Sequence, residues 1–99
     1  MTETPLSTHD AIADNRNDHI LIYVDGRIVP KAEALVSVYD SGFLLGDGVW
    51  EGLRLHDGVI PFLDAHLDRL YEAARFLALD IGRPREALVV AIRETLAAN

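Results

Sequence analysis

The chain contains no cysteine among its 99 residues. Disulfides, thiolate nucleophiles and thiolate metal ligands are therefore excluded, and a reducing, cytoplasmic setting is expected. Lysine is nearly as scarce, with Lys31 the only one. Lys and Arg together number 9 against 16 acidic residues, a formal net charge of -7. That balance repels nucleic-acid phosphates and anionic membrane surfaces, so neither is expected as a partner. No apolar run approaches the roughly 20 residues that a membrane helix needs. No Ser–His–Asp or Cys–His constellation can be assembled. No second ligand stands at a metal-binding distance in sequence from His66, so no metal site is expected. The first 18 residues are polar and acidic and lack an apolar stretch. They read as a flexible tail rather than a signal or transit peptide.

What remains, over residues 19–99, has the make-up of one small globular domain: the chain is 49% hydrophobic and 25% charged. Ile20, Leu21, Ile22, Tyr23 and Val24 form a β-branched, aromatic run. Asp25-Gly26 then separates it from Arg27-Ile28-Val29, which predicts a hairpin closed by a tight turn. Pro30 should end the second strand, since it has no N–H for a ladder. Residues 35–39 read as a short strand or extended segment. Phe43-Leu44-Leu45 reads as a loop between Gly42 and Gly46.

A second hairpin is expected over residues 49–62, turning at Asp57-Gly58. Alternation puts Val49, Glu51, Leu53 and Leu55 on one face of its first strand, and Trp50, Gly52, Arg54 and His56 on the other. Asp64 is a suitable N-cap for a helix. The buried stripe of that helix would be Leu67, Leu70, Tyr71, Ala74, Leu77 and Ala78, with Gly82 as its stop. Pro84 fits the first turn of a second helix, whose apolar face is Leu88, Val89, Ile92 and Leu96. Strands precede helices, so the class is α+β: antiparallel hairpins followed by two helices.

Two features carry candidate chemistry. Trp50, Gly52 and Arg54 would place an aromatic, a missing side chain and a cation on one side of a strand. Such a recess suits a small carboxylate-bearing substrate; the plainer reading is a core tryptophan, a bulge and a surface arginine. Arg69 offers a planar fork that matches phosphate oxygens. Read from periodicity alone it is a solvent-facing helix residue paired with Asp68 or Glu72. The glycines at 42, 46 and 48 precede a strand, so they are turn residues rather than a dinucleotide loop. Glu51 could be a partly buried carboxylate, but it has no second titratable partner in the sequence to give it acid–base work.

The order Gly46-Asp47-Gly48-Val49-Trp50-Glu51-Gly52-Leu53-Arg54, then His66-Leu67-Asp68-Arg69-Leu70, resembles the N-terminal domain of the class IV, fold-type IV, pyridoxal-phosphate enzymes. That family includes branched-chain aminotransferases, D-amino-acid and (R)-amine transaminases, and aminodeoxychorismate lyases. The resemblance covers about residues 20 to 99. It implies pyridoxal 5'-phosphate as cofactor, an amino donor and a 2-oxo acid acceptor as substrates, and a homodimer or higher oligomer. It implies that Arg69 contacts the cofactor phosphate, that His66 packs or orients, and that Trp50, Gly52 and Arg54 shape the substrate pocket. Glycine at 52 and arginine at 54 look most like the branched-chain enzymes. Leu45 stands at a substrate-side position where those groups usually place tyrosine or phenylalanine.

The family's cofactor-bearing lysine lies in a larger second domain. Lys31, just past the first hairpin in a polar stretch, is not in its place. The chain is therefore expected to be the small domain of a longer transaminase, with no catalytic residue of its own and no activity alone. A lyase of the same family, or a non-catalytic binding module that keeps the fold, are the other readings.

Overall fold

The computed structural model describes residues 15–99, so most of the expected tail lies outside the described residues. It is α+β. A two-stranded antiparallel hairpin, β1 (Leu21–Val24) and β2 (Arg27–Pro30), precedes three helices: α1 (Ser41–Leu45), α2 (Leu63–Phe76) and α3 (Arg85–Ala98). Single 3₁₀ turns occupy Asn15–Asn17 and Lys31–Glu33.

The first hairpin follows from its turn. Asp25 and Gly26 both take positive φ, 49° and 85°. That is the tight turn whose twist matches two right-twisted strands. It sets the register Leu21 to Pro30, Ile22 to Val29, Tyr23 to Ile28 and Val24 to Arg27. Gly26 is also crowded: a Cβ there would stand 2.9 Å from Arg83 Nη2, whose guanidinium lies over the Tyr23 ring at 5.8 Å.

The segment expected as a loop at Phe43 is instead the single-turn helix α1. Asp40 caps it, its Oδ2 accepting from the N–H groups of Gly42 at 2.9 Å and Phe43 at 3.3 Å. Gly46, at φ 75°, ends it. The cap and the terminal glycine were both visible in the sequence and outweigh the apolar triplet between them. Residues 35–39 carry no ladder.

The second hairpin shrinks to one bridge, His56 with Val59, around Asp57-Gly58. The returning arm offers only Val59 and Ile60 before Pro61, which has no N–H to give. Residues 49–54 are left without a paired neighbour among the described residues.

Helix α2 begins earlier and ends earlier than its sequence signals suggest. Its N-cap is Phe62, in the left-handed region at φ 58°, and Asp64 lies within the first turn without capping it. It stops at Phe76 rather than at Gly82. Ala78 takes φ 54°; its N–H bonds the Arg75 carbonyl at 3.0 Å and the Leu79 N–H bonds the Ala74 carbonyl at 2.8 Å. These two bonds form a Schellman motif, which satisfies the last carbonyls with an alanine where glycine is usual. Leu77 and Ala78 consequently leave the stripe. Leu67 and Ala74 are buried, with Leu70 and Tyr71 half-buried beside them.

Helix α3 starts one residue after Pro84, which serves as its N-cap. Ala91 is its buried residue and Leu88, Val89 and Ile92 flank it, whereas Leu96 is exposed. Arg85 fastens α3 to α2. Its Nη1 donates to Asp68 Oδ1 at 2.5 Å and its Nη2 to the Asp64 carbonyl at 2.8 Å. No described helix is long and apolar enough to cross a membrane.

Candidate functional site

The site is assembled by residues 49–52, which belong to no strand, lying along one face of α2. On a helix, residues three apart are neighbours, so His66 and Arg69 stand side by side. Both reach the same carboxylate. Arg69 Nε donates to Glu51 Oε1 in a short contact, and Arg69 Nη2 donates to Glu51 Oε2 at 2.7 Å. His66 Nδ1 lies 3.1 Å from Glu51 Oε2. An ionised carboxylate only accepts, so His66 carries its hydrogen on Nδ1 here.

The Glu51 side chain is 10% exposed and that of Arg69 is 70% exposed. The carboxylate is thus inside and the guanidinium reaches out. The hydrogen bonds from Arg69 and then His66 hold Glu51 well below the usual carboxylate range, at about 2, against a smaller opposing effect of burial. The same pairing raises the Arg69 guanidinium further above its ordinary value. Arg69 therefore pairs with neither Asp68 nor Glu72, the partners that helical spacing alone suggested. Its partner comes from a segment 18 residues upstream.

Beside this pair opens a cleft of about 1010 Å³. Trp50, Gly52 and Arg69 all line it, together with Glu72, Ala73 and Phe76 of α2. Trp50 is 85% and Phe76 89% exposed, so two aromatic rings stand uncovered at its border. A Cβ on Gly52 would meet Trp50 Cζ3 at 3.7 Å, an ordinary contact, so the glycine leaves space in the cleft without being demanded by sterics.

Arg54 and Leu45 are not in this cleft. Arg54 borders a smaller recess of about 180 Å³ against Ile92, Thr95 and Leu96 of α3. Leu45 ends α1 and is exposed. Lys31 is exposed in the turn after β2 and lines none of these recesses.

Glu51 was the residue that sequence reasoning set aside. Its signal was present: an acidic side chain alternating to the buried face, and His-x-x-Arg downstream to receive it. Glu72 and Phe76 were also missed, although they follow Arg69 by three and seven residues and so share its helix face. Among the described residues no group of three or more His, Asp or Glu side chains is arranged to hold a metal ion.

Residues 48–99 match the family described as amino-transferase class IV. A Methanocaldococcus jannaschii protein named "Putative branched-chain-amino-acid aminotransferase" is 46% identical over 78 residues, which cover 79% of this chain and 27% of that protein. Branched-chain-amino-acid aminotransferase-like protein 1 of Arabidopsis thaliana is 46% identical over 83 residues, 84% of this chain and 15% of its own length. The aminodeoxychorismate lyase of Bacillus subtilis is 34% identical over 79 residues, 80% and 27% respectively. The chain thus spans less than a third of the length of each of these relatives.

Proposed function

Because the chain belongs to the class IV aminotransferase family, we propose that it is the N-terminal portion of a pyridoxal-phosphate transaminase acting on branched-chain-like amino acids. The observation that carries this reading is the meeting of Trp50, Gly52 and Arg69 at one cleft. They come from two separate stretches of sequence that both lie within the matched region.

The residues present suit one end of the cofactor. Arg69 is exposed, charged and fixed at the cleft, which are the properties a phosphate anchor needs. No lysine stands in the cleft to hold the aldehyde end. Pyridoxal phosphate supplies an electron sink for breaking bonds at an amino acid's α-carbon. The work assigned to this chain is narrower. Arg69 binds the phosphate, Trp50 offers an apolar surface to the bound molecules, and Gly52 leaves room for the substrate side chain. Arg54 is proposed to meet the substrate from the neighbouring recess and Leu45 from α1. The exposed side chains of Phe43, Leu44 and Leu45 support a subunit contact at α1 in a homodimer or larger assembly, because an apolar patch of that kind needs cover.

The second reading is elimination on aminodeoxychorismate, favoured by the similarity to the Bacillus subtilis lyase. Both are tested with the full-length gene product loaded with pyridoxal phosphate. Amino transfer from leucine, isoleucine or valine to a 2-oxo acid supports the transaminase. Turnover of aminodeoxychorismate without such transfer supports the lyase. Absence of both, in a protein that binds the cofactor, rejects the proposal.

A further inference from the structure

We infer that Glu51 is a positioning residue, which grips Arg69 by one edge so that the other edge faces a phosphate monoester in the Trp50 cleft. The inference rests on the reading of Arg69 as a phosphate anchor and adds to it a residue that acts through Arg69.

A guanidinium carries five N–H donors in a rigid fork. Two pairs of them can make parallel bonds: the side edge, Nε with Nη2, and the end edge, Nη1 with Nη2. Glu51 takes the side edge, through Nε and through Nη2 at 2.7 Å. The end edge keeps two parallel hydrogens, which match two oxygens of a phosphate. Glu51 therefore does not compete with an anion for the same donors.

It also removes freedom. Arg69 has a long, exposed side chain, and ordering such a chain when a ligand arrives costs entropy. Glu51 is nearly buried and is itself held by His66 at 3.1 Å, so it is a fixed point from which Arg69 extends. A ligand then meets a guanidinium already in place. The carboxylate stays charged at any ordinary pH, because its two partners favour the ionised form.

The test uses the full-length gene product, freed of cofactor, and compares binding of pyridoxal 5'-phosphate with binding of pyridoxal, which lacks the phosphate. Glu51→Gln is expected to weaken the phosphorylated compound by about 10-fold, within the range that coupled neighbours show. It should change pyridoxal affinity by less than about 2-fold, since the unphosphorylated ring does not use the coupled pair. In an Arg69→Ala background, Glu51→Gln should add nothing. Equal losses for both compounds would mark Glu51 as merely structural, and losses that add in the double variant would show that it does not act through Arg69; either overturns the inference. If Arg69→Ala weakens the phosphorylated compound while Glu51→Gln leaves it unchanged, the inference alone falls. If Arg69→Ala leaves it unchanged, the anchor reading falls as well. Should Glu51→Gln not fold, His66→Ala provides the second measurement. It leaves the Glu51–Arg69 pair without its support and should give a smaller loss with the same phosphate dependence. An unchanged ratio there overturns the inference.

Discussion

The side-chain amide of Asn99 lies against the backbone of Leu21 as a neighbouring strand would. Its Oδ1 accepts from the Leu21 N–H at 2.7 Å, and its Nδ2 donates to the Leu21 carbonyl at 3.0 Å. The same Nδ2 lies 2.7 Å from the Thr95 carbonyl. One residue thereby ties the end of α3 to the free edge of β1, across 78 positions of sequence.

Asn99→Ala should therefore loosen that attachment. Hydrogen bonds of this kind contribute about 0.5–1.5 kcal/mol each, and these are solvent-accessible, so a loss on the order of 1 kcal/mol is expected. Urea denaturation followed by circular dichroism reads it. Amide exchange at Leu21 should accelerate in the same variant, whereas exchange at Ile28 in the hairpin partner should not.

Ala78→Gly is expected to stabilise the chain. An L-residue in the left-handed region costs roughly 1–2 kcal/mol, which glycine avoids. Glycine gives back about 0.4–1 kcal/mol through its freer unfolded chain. The net gain should be about 0.5–1 kcal/mol, seen as a higher urea midpoint. A lower midpoint would show that α2 does not end in the motif described.

The pH dependence of stability should carry the signature of Glu51. Its carboxyl is depressed from the ordinary 4.5 to about 2 in the folded state. A depressed carboxyl contributes stability that is complete above its unfolded value and disappears as pH falls through its folded one. The difference in urea midpoint between the wild type and Glu51→Gln should thus be constant from pH 7 to about pH 5 and shrink between about 4.5 and 2. A difference that shrank near neutral pH instead would show that Glu51 is not the titrating group.

Gly52→Val tests the proposal that this part of the cleft receives the substrate. A Cβ fits beside Trp50 at 3.7 Å, so the fold should tolerate the change, while the two added methyl groups narrow the space. If the full-length protein is the proposed transaminase, its rates with branched amino donors should fall relative to alanine, with cofactor affinity unchanged. Equal loss on every donor would show that Gly52 does not shape selectivity.

Local chemistry was the legible part of the sequence. Asp25-Gly26 specified its turn because both residues tolerate positive φ, and the stripe Leu67, Leu70, Tyr71, Ala74 specified the buried face of α2 because a period repeats. Phe62 and Ala78 hid the true ends of that helix: neither residue type advertises a left-handed backbone, and Asp64 and Gly82 advertised ends that the chain does not use. The strand expected over residues 49–56 was reduced to the His56–Val59 bridge for a different reason. Alternation shows which side chains share a face, but a ladder needs a partner, and the arm ending at Pro61 is too short to supply one. The Glu51 contacts were hidden in a third way. His66 and Arg69 could be placed side by side from their spacing, yet nothing local told which carboxylate, 15 and 18 residues away, would meet them.

The thin interior has a thermodynamic consequence. Among the described residues only Leu67, Ala74 and Ala91 are buried, while Trp50, Phe62 and Phe76 stand almost as open as in an unfolded chain. Unfolding then exposes little new apolar surface, and the heat-capacity increment follows that surface. It should fall below the roughly 12–15 cal/mol/K per residue of ordinary domains. The stability curve of the 99-residue chain should accordingly be flat with temperature, and its urea transition broad rather than steep.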